Sequence, residues 1–159
     1  MHPLAPGDLD AWAAVLADPE VTRLLHFPEP HTRAESEALL ERTIARADGA
    51  VAMYAVVVRE TGETAGFVGF APRELEWGSE VELGWTLARA HQGRGYATEA
   101  ARAVRALVPG RVVSLIRVEN DASKNVARKL GMHHERELVW NGFATDLFAS
   151  DMSRGLTPV

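Results

Sequence analysis

Apolar positions change period twice along this chain. In the first third they recur at helical spacing. Leu9, Trp12, Ala13 and Leu16 fall on one face, with Asp8 as the expected cap and Asp18-Pro19 as the stop. Val21 to His31 holds Pro28 and Pro30 and reads as a loop. Thr32-Arg33-Ala34-Glu35 has capping-box spacing; Leu39, Leu40 and Ile44 carry a second helix to about Arg46, closed by Asp48-Gly49. From there the period drops towards two. Val51 to Val58 and Thr64 to Ala71 read as strands around a turn at Glu60-Thr61-Gly62-Glu63. Glu80 to Leu87 alternates: Val81, Leu83, Trp85 and Leu87 share one face, and Glu82, Gly84 and Thr86 the other.

After a glycine-punctuated turn the helical period returns, with Ala97, Ala101, Val104 and Leu107 on one stripe before Pro109-Gly110. Arg111 to Val118 reads as a strand. Asn120 or Asp121 can cap a short helix ending at Leu130-Gly131. His133 to Trp140 and Phe143 to Met152 flank Asn141-Gly142, a strong two-residue hairpin signal. The order α-α-β-β-β-α-β-α-β-β predicts one α/β (α+β) domain over residues 1–159. Its sheet is mixed, mainly antiparallel and flanked by helices, and there is no repeat or linker.

Composition narrows the function classes. The chain has 159 residues, 47% hydrophobic and 25% charged, with no run near the roughly 18 apolar residues of a membrane span. Its N-terminus, Met1-His2-Pro3-Leu4, lacks the features of a secretion signal. The absence of cysteine excludes disulfides, thiolate metal sites and a cysteine nucleophile, and with the other features favours the cytoplasm. A net charge of −5 argues against nucleic-acid binding and suits a cationic acceptor better.

The candidate chemistry lies in Gln92-Gly93-Arg94-Gly95-Tyr96-Ala97-Thr98-Glu99-Ala100, between the third strand and the third helix. A glycine turn at a helix start offers unpaired backbone N–H groups and the positive end of the helix dipole, an anion site suited to phosphate or pyrophosphate. Gly93 and Gly95 permit close backbone approach. Three ligands compete. A P-loop needs a lysine that is absent, and a dinucleotide fingerprint needs a third glycine where Thr98 stands, with an acid about 20 residues on. Coenzyme A is the third.

Here the chain resembles a known family. Gln92-x-x-Gly95-x-Ala97 matches the [RQ]-x-x-G-x-[GA] turn of the GNAT N-acetyltransferases, and the longer string is similar to the ribosomal-protein N-acetyltransferase-like (RimJ/RimL-like) branch. Asn120-Asp121-Ala122-Ser123-Lys124-Asn125-Val126-Ala127-Arg128-Lys129-Leu130-Gly131-Met132 resembles the family's N-x-x-S-x-x-V-x-x-K-L-G-F helix, and Asp18-Pro19-Glu20-Val21-Thr22-Arg23 is typical of the branch. The resemblance implies a V-shaped strand splay that admits CoA. The branch's usual first strand is short or absent here, which leaves Val51 to Val58 partly exposed at an edge. Ala127 stands where many members carry a tyrosine acid.

The family reaction is direct acyl transfer from a CoA thioester to an amine. Carried over, the backbone amides of Gly93, Arg94, Gly95, Tyr96, Ala97 and Thr98 hold the pyrophosphate, and Gln92 shapes the turn. Trp85, Thr86 and Leu87 pair with the pantetheine arm, and a backbone N–H near Gly84 or Trp85 polarises the thioester carbonyl. Asn120 and Asn125 resemble arm-binding positions. A lysine-like amine with pKa about 10.4 costs roughly 4–5 kcal/mol to neutralise at pH 7, an α-amine near 7.7–8.0 only about 1. Glu82 is the candidate base or proton relay, against a solvated strand carboxylate. Ser123 is the candidate replacement acid for a leaving thiolate of pKa about 8.5, against a helix cap. His26, His31, His133 and His134 lack metal-ligand spacing, so no metal is expected. Expected partners are acetyl-CoA and an amine, protein N-terminus or small molecule, with no nucleic acid and no membrane. The uncovered edge and the family allow a homodimer. The alternative is a CoA-binding sensor or interaction module without catalysis.

Overall fold

In the computed structural model, which describes residues 1–151, the strands join into one seven-stranded sheet. In chain order they are β1 (His2–Pro3), β2 (Ala52–Val57), β3 (Thr64–Leu75), β4 (Gly78–Leu87), β5 (Val112–Arg117), β6 (His133–Trp140) and β7 (Phe143–Ser150). The order across the sheet is β1-β2-β3-β4-β5-β7-β6. All neighbours are antiparallel except β4 and β5. The mixed, mainly antiparallel architecture read from the sequence is therefore present, and the first strand is short. β1 covers only Ala55 and Tyr54, so most of β2 lies at an open edge.

Helices cover the sheet unequally. On one face α1 (Leu9–Ala17), α2 (Pro19–Thr22) and α3 (Arg33–Ala45) enclose a core of Leu4, Trp12, Val15, Leu16, Val21, Leu40, Ala55 and Phe67. On the other, α4 (Tyr96–Arg105) buries Ala101 and Val104 against Val56, Val68, Leu83 and Leu87. α5 (Asp121–Lys129) lays Ala127 on Val112, Ile116 and Phe148. The alternation of β4 is as its pattern predicts, with Leu83, Trp85 and Leu87 all turned towards α4. Among the described residues no helix is long and apolar enough to cross a membrane.

Several local expectations change. Asp8 does not cap α1; its carboxylate bonds His2 Nε2 and the Ala5 amide and closes a short 3-10 turn instead. The stretch from Val21 is not all loop, because Asp18 accepts from the Glu20 amide at 2.9 Å and starts α2 with Pro19 at its first position. The second strand of the hairpin pair runs on past Ala71 to Leu75. Helix α4 stops at Arg105, which leaves Leu107 exposed rather than on the buried stripe. β7 ends at Ser150, and Met152 lies outside the described residues.

The open half of the sheet is curled. Arg73 on β3 lies 5.7 Å from the ring of Trp140 on β6, although three strands separate them. Arg136 sits 4.5 Å over Trp77, and Arg111 bonds both Glu80 and Glu135. These contacts draw the β3–β4 hairpin and β6 together over the helix-free face of β5 and β7, making that face concave.

Candidate active site

β4 and β5 pair at a single position, Glu82 opposite Val113. Ser114 Oγ donates to Leu83 O at 2.6 Å, and beyond this bridge the strands part. Backbone polar groups alternate sides along a strand, so a Leu83 carbonyl facing β5 puts the Trp85 N–H and C=O on the same edge, facing the opening. Of the Gly84 and Trp85 N–H groups, the alternation turns only that of Trp85 to the opening. The Trp85 side chain packs into the apolar clusters beneath α4 and α5.

At the foot of the splay stands the glycine turn. Gly93 and Gly95 have φ of +74° and +85°, conformations that side chains with a Cβ resist. Nothing lies within 4 Å of where a Cβ would stand at either, so their outer side is open. Gln92 Nε2 donates to Leu87 O at 3.0 Å and ties the turn back to the end of β4. The first helical bond of α4 is from the Glu99 amide to Gly95 O at 3.0 Å; among the described residues the amides of residues 93–98 find no acceptor. Six consecutive free donors at a helix start fit a pyrophosphate group.

Splay and turn open into one cleft of about 320 Å³. Trp85, Thr86, Leu87, Gln92, Gly93, Gly95, Ala97, Thr98, Asn120, Ser123 and Asn125 all line it. Arg94, Tyr96 and Glu82 do not: Tyr96 packs on the core under α4, and Glu82 turns to the other face of the sheet. Asn120 caps α5, its Oδ1 accepting from the Ser123 amide at 3.1 Å. The Ser123 hydroxyl is therefore not the cap, and Ser123 is one of the residues lining the cleft. Asn125 Oδ1 accepts from Arg128 at 2.9 Å. Ala127 is fully buried against the sheet, so that position points away from the cleft.

Sequence reasoning missed the wall given by Glu20, Val21, Leu24, Leu25, Ala122, Val126 and Lys129. Four of these seven, Glu20, Val21, Leu24 and Leu25, come from α2 and the residues after it. The signal is present in Asp18-Pro19-Glu20, which is a helix-start pattern as well as a helix stop and a segment typical of the branch.

On the concave face Glu82 accepts two bonds from Arg73, one from Nε at 2.7 Å. Nearby, His26 Nε2 meets Thr145 Oγ1 at 3.0 Å, joining the α2–α3 connection to β7. Arg117 lies 4.1 Å over Phe143, donates to Arg23 O and Leu25 O, and pairs with Glu119. Burial lowers the His26 pKa from 6.5 to about 4, aided by the charges of Arg117 and Arg73 and opposed by Glu119. His26 thus carries a neutral ring near pH 7.

On the opposite face His134, Glu137 and Asp146 bring three ligand-type atoms within 4.8 Å of one another, a cluster hidden in sequence because it spans two strands. Both oxygens of Asp146 are already engaged, by Lys124 at 2.8 Å and His134 at 2.9 Å. Burial raises the Asp146 carboxyl, but those two partners outweigh it and hold it below its usual range. A cation would have to displace the lysine.

A family model described as "Acetyltransferase (GNAT) domain" matches residues 1–133. The chain belongs to the GNAT acetyltransferases. Among its relatives, Bacillus subtilis (strain 168) YkkB is 37% identical over 97 residues, 57% of this chain and 56% of YkkB. The matched part is thus little more than half of that protein. N-acetyltransferase p20 of Bacillus licheniformis is 27% identical over 135 residues, 80% of this chain and 75% of its own. A solved GNAT-family acetyltransferase from Bordetella pertussis superposes with TM-score 0.77 at 28% identity, covering 93% of this chain and 92% of the other. The fold of this GNAT chain also matches RimL, a ribosomal L7/L12 α-N-protein acetyltransferase in complex with coenzyme A. That TM-score is 0.78 at 22% identity, over 94% and 92% of the two chains.

Proposed function

We propose that this protein transfers an acetyl group from acetyl-CoA directly to a primary amine, either a protein N-terminus or a small molecule. The observation that carries the reading is the run of unpaired amides at residues 93–98, opening into the same cleft as the free edge of β4. The CoA complex of RimL, which shares this fold, supports the same ligand here. The string Gln92 to Ala100 favours the RimJ/RimL-like branch.

Acetyl-CoA supplies the acyl group as an activated thioester when bound. The chain's own groups divide the remaining work. Residues 93–98 hold the pyrophosphate through their amides, and Gln92 keeps the turn in shape. The edge of β4 from Trp85 to Leu87 aligns the pantetheine arm, with Asn120 and Asn125 on the opposite wall. The Trp85 N–H is aimed to stabilise charge on the thioester oxygen. The Ser123 hydroxyl, uncommitted to the cap, offers a proton to the departing sulfur. Glu82, with Oε2 held by Arg73, keeps Oε1 for a water that carries the amine proton away. The open edge of β2 offers a pairing surface for a homodimer, and the cysteine-free composition suits the cytoplasm.

A CoA-binding module without catalysis is the second reading, favoured by Ala127 standing buried at the family's tyrosine position. Thiol release measured over a panel of amines and N-terminal peptides separates the two. Turnover with at least one acceptor supports transfer, and saturable acetyl-CoA binding without turnover on any of them supports the module.

A further inference from the structure

Thr145 is fully buried, and its hydroxyl donates its one proton to Phe143 O at 2.9 Å. The same oxygen must then accept from His26, so the proton of the neutral ring sits on Nε2. Nδ1 is left with a lone pair and turns roughly the opposite way, away from β7. Among the described residues it has no protein partner. Unlike Nδ1 of His31 and His91, it is not sealed from solvent without one. The fold thus holds an imidazole by one nitrogen and leaves the other open.

The charges around this nitrogen are arranged in pairs. The two arginines whose charges reach the ring are each tied to a carboxylate, Arg73 to Glu82 and Arg117 to Glu119. An ammonium ion arriving here meets two carboxylates that already have arginine partners. A neutral amine meets a hydrogen-bond acceptor. Leu24 and Leu25, just before His26, line the cleft, and so does Asn120, just after Glu119. His26 itself does not line the cleft, but the charge of Arg73, which bonds Glu82, reaches its ring, so the ring and Glu82 share the concave face at the border of the cleft.

We infer that His26 is a positioning residue for the acceptor: Nδ1 accepts one N–H of a neutral, weakly basic amine and so turns the amine's lone pair towards the acyl carbon. The inference rests on the transfer reading above. It assigns the acceptor to amines with a pKa near 7.7–8.0, such as an α-amine, rather than lysine-like amines near about 10.4. The low proton affinity of the ring, set by burial and by Arg117 and Arg73, keeps Nδ1 bare across the neutral range.

Three variants separate this role from a structural one. His26→Ala removes both bonds, His26→Gln can keep a donor towards Thr145, and His26→Asn keeps an acceptor close to the Nδ1 position. The expected result is an acceptor KM raised about tenfold or more in His26→Ala and His26→Gln. The acetyl-CoA KM stays unchanged, and His26→Asn recovers much of the loss. At pH 7, α-amine peptides should outpace Nα-acetyl-lysine in kcat/KM. A second readout needs no turnover: imidazole ¹⁵N spectra of the wild-type CoA complex should show Nε2 protonated and the Nδ1 resonance moving as an α-amine peptide is added. An unchanged acceptor KM in His26→Ala, a wild-type KM in His26→Gln, faster turnover of Nα-acetyl-lysine, or a still Nδ1 resonance each overturns the inference. A wild-type protein that turns over no amine overturns the transfer reading itself, an outcome distinct from unaffected variants.

Discussion

Gly95 sits at φ +85° with open space where a Cβ would point, so a side chain there meets no protein atom. Its cost lies in backbone strain of about 1–2 kcal/mol and in blocking a ligand's approach. Gly95→Val is therefore expected to weaken acetyl-CoA binding roughly tenfold or more. Isothermal titration checks this, and unchanged affinity contradicts the turn as the pyrophosphate site. Ser123 and Glu82 test the other half of the chemistry. Ser123→Ala should lower kcat about tenfold and not more, because a thiolate of pKa about 8.5 leaves readily without an acid. Glu82→Gln should lower kcat about a hundredfold, within the usual range for proton-transfer groups. Both should spare the acetyl-CoA dissociation constant; a kcat equal to wild type removes that residue from the mechanism. The glycine turn at Gly93 and Gly95 and the Asn120 cap were legible in the sequence, because they follow from local turn and cap chemistry, whereas the Ser123 hydroxyl, read there as either an acid or a cap, is not the cap. The His26–Thr145 bond was not, because 119 residues separate its partners and nothing local marks either one.

The elements show the same division between local and distant information. The helices α3 and α5, the hairpin at Asn141-Gly142 and the alternation of β4 follow from neighbouring residues, and they appear where the pattern puts them. α2 was missed because four helical residues carry too little periodicity to stand out from a proline-containing stretch. The splay was not readable from spacing at all. It depends on β5 pairing with β4 at one residue and with β7 at six. The close packing of β3 was equally hidden. A Cβ on Gly69 would lie 2.3 Å from Ala52 O on β2, and Gly69 pairs with Gly84 where the splay begins. Gly69→Ala must therefore push β2 away from β3, at a cost of roughly 1–3 kcal/mol. Thermal unfolding should show a fall of several degrees, with acetyl-CoA affinity reduced less than in Gly95→Val. A melting temperature equal to wild type would show that β2 yields freely at this edge.

Across the whole molecule, the helical N-terminal third and the C-terminal hairpin meet over the concave face through a few polar ties. His26 bonds Thr145, and Arg117 on β5 reaches Arg23 O and Leu25 O. One of these ties titrates. The His26 pKa is about 4 in the fold, against 6.5 for the unfolded chain. Between those values the unfolded chain binds more protons, so stability falls as pH falls. The contribution is complete above about pH 6.5 and is lost progressively towards about pH 4. For a half-exposed ring, screening reduces it to roughly 1–2 kcal/mol. Glu119, Glu135 and Asp146 also have carboxyls held below their usual range, so their losses come later, as pH drops through the carboxylate region. Urea unfolding of the wild type should therefore show stability declining from pH 6.5 to 4.5, before the carboxylates contribute. In His26→Gln, where no group titrates at this tie, the decline over that interval should be shallower, and the two curves should run parallel at lower pH. A wild-type curve that stays level down to pH 4.5 would mean that the ring accepts its proton in place, and that the tie across the concave face does not hold the two parts together.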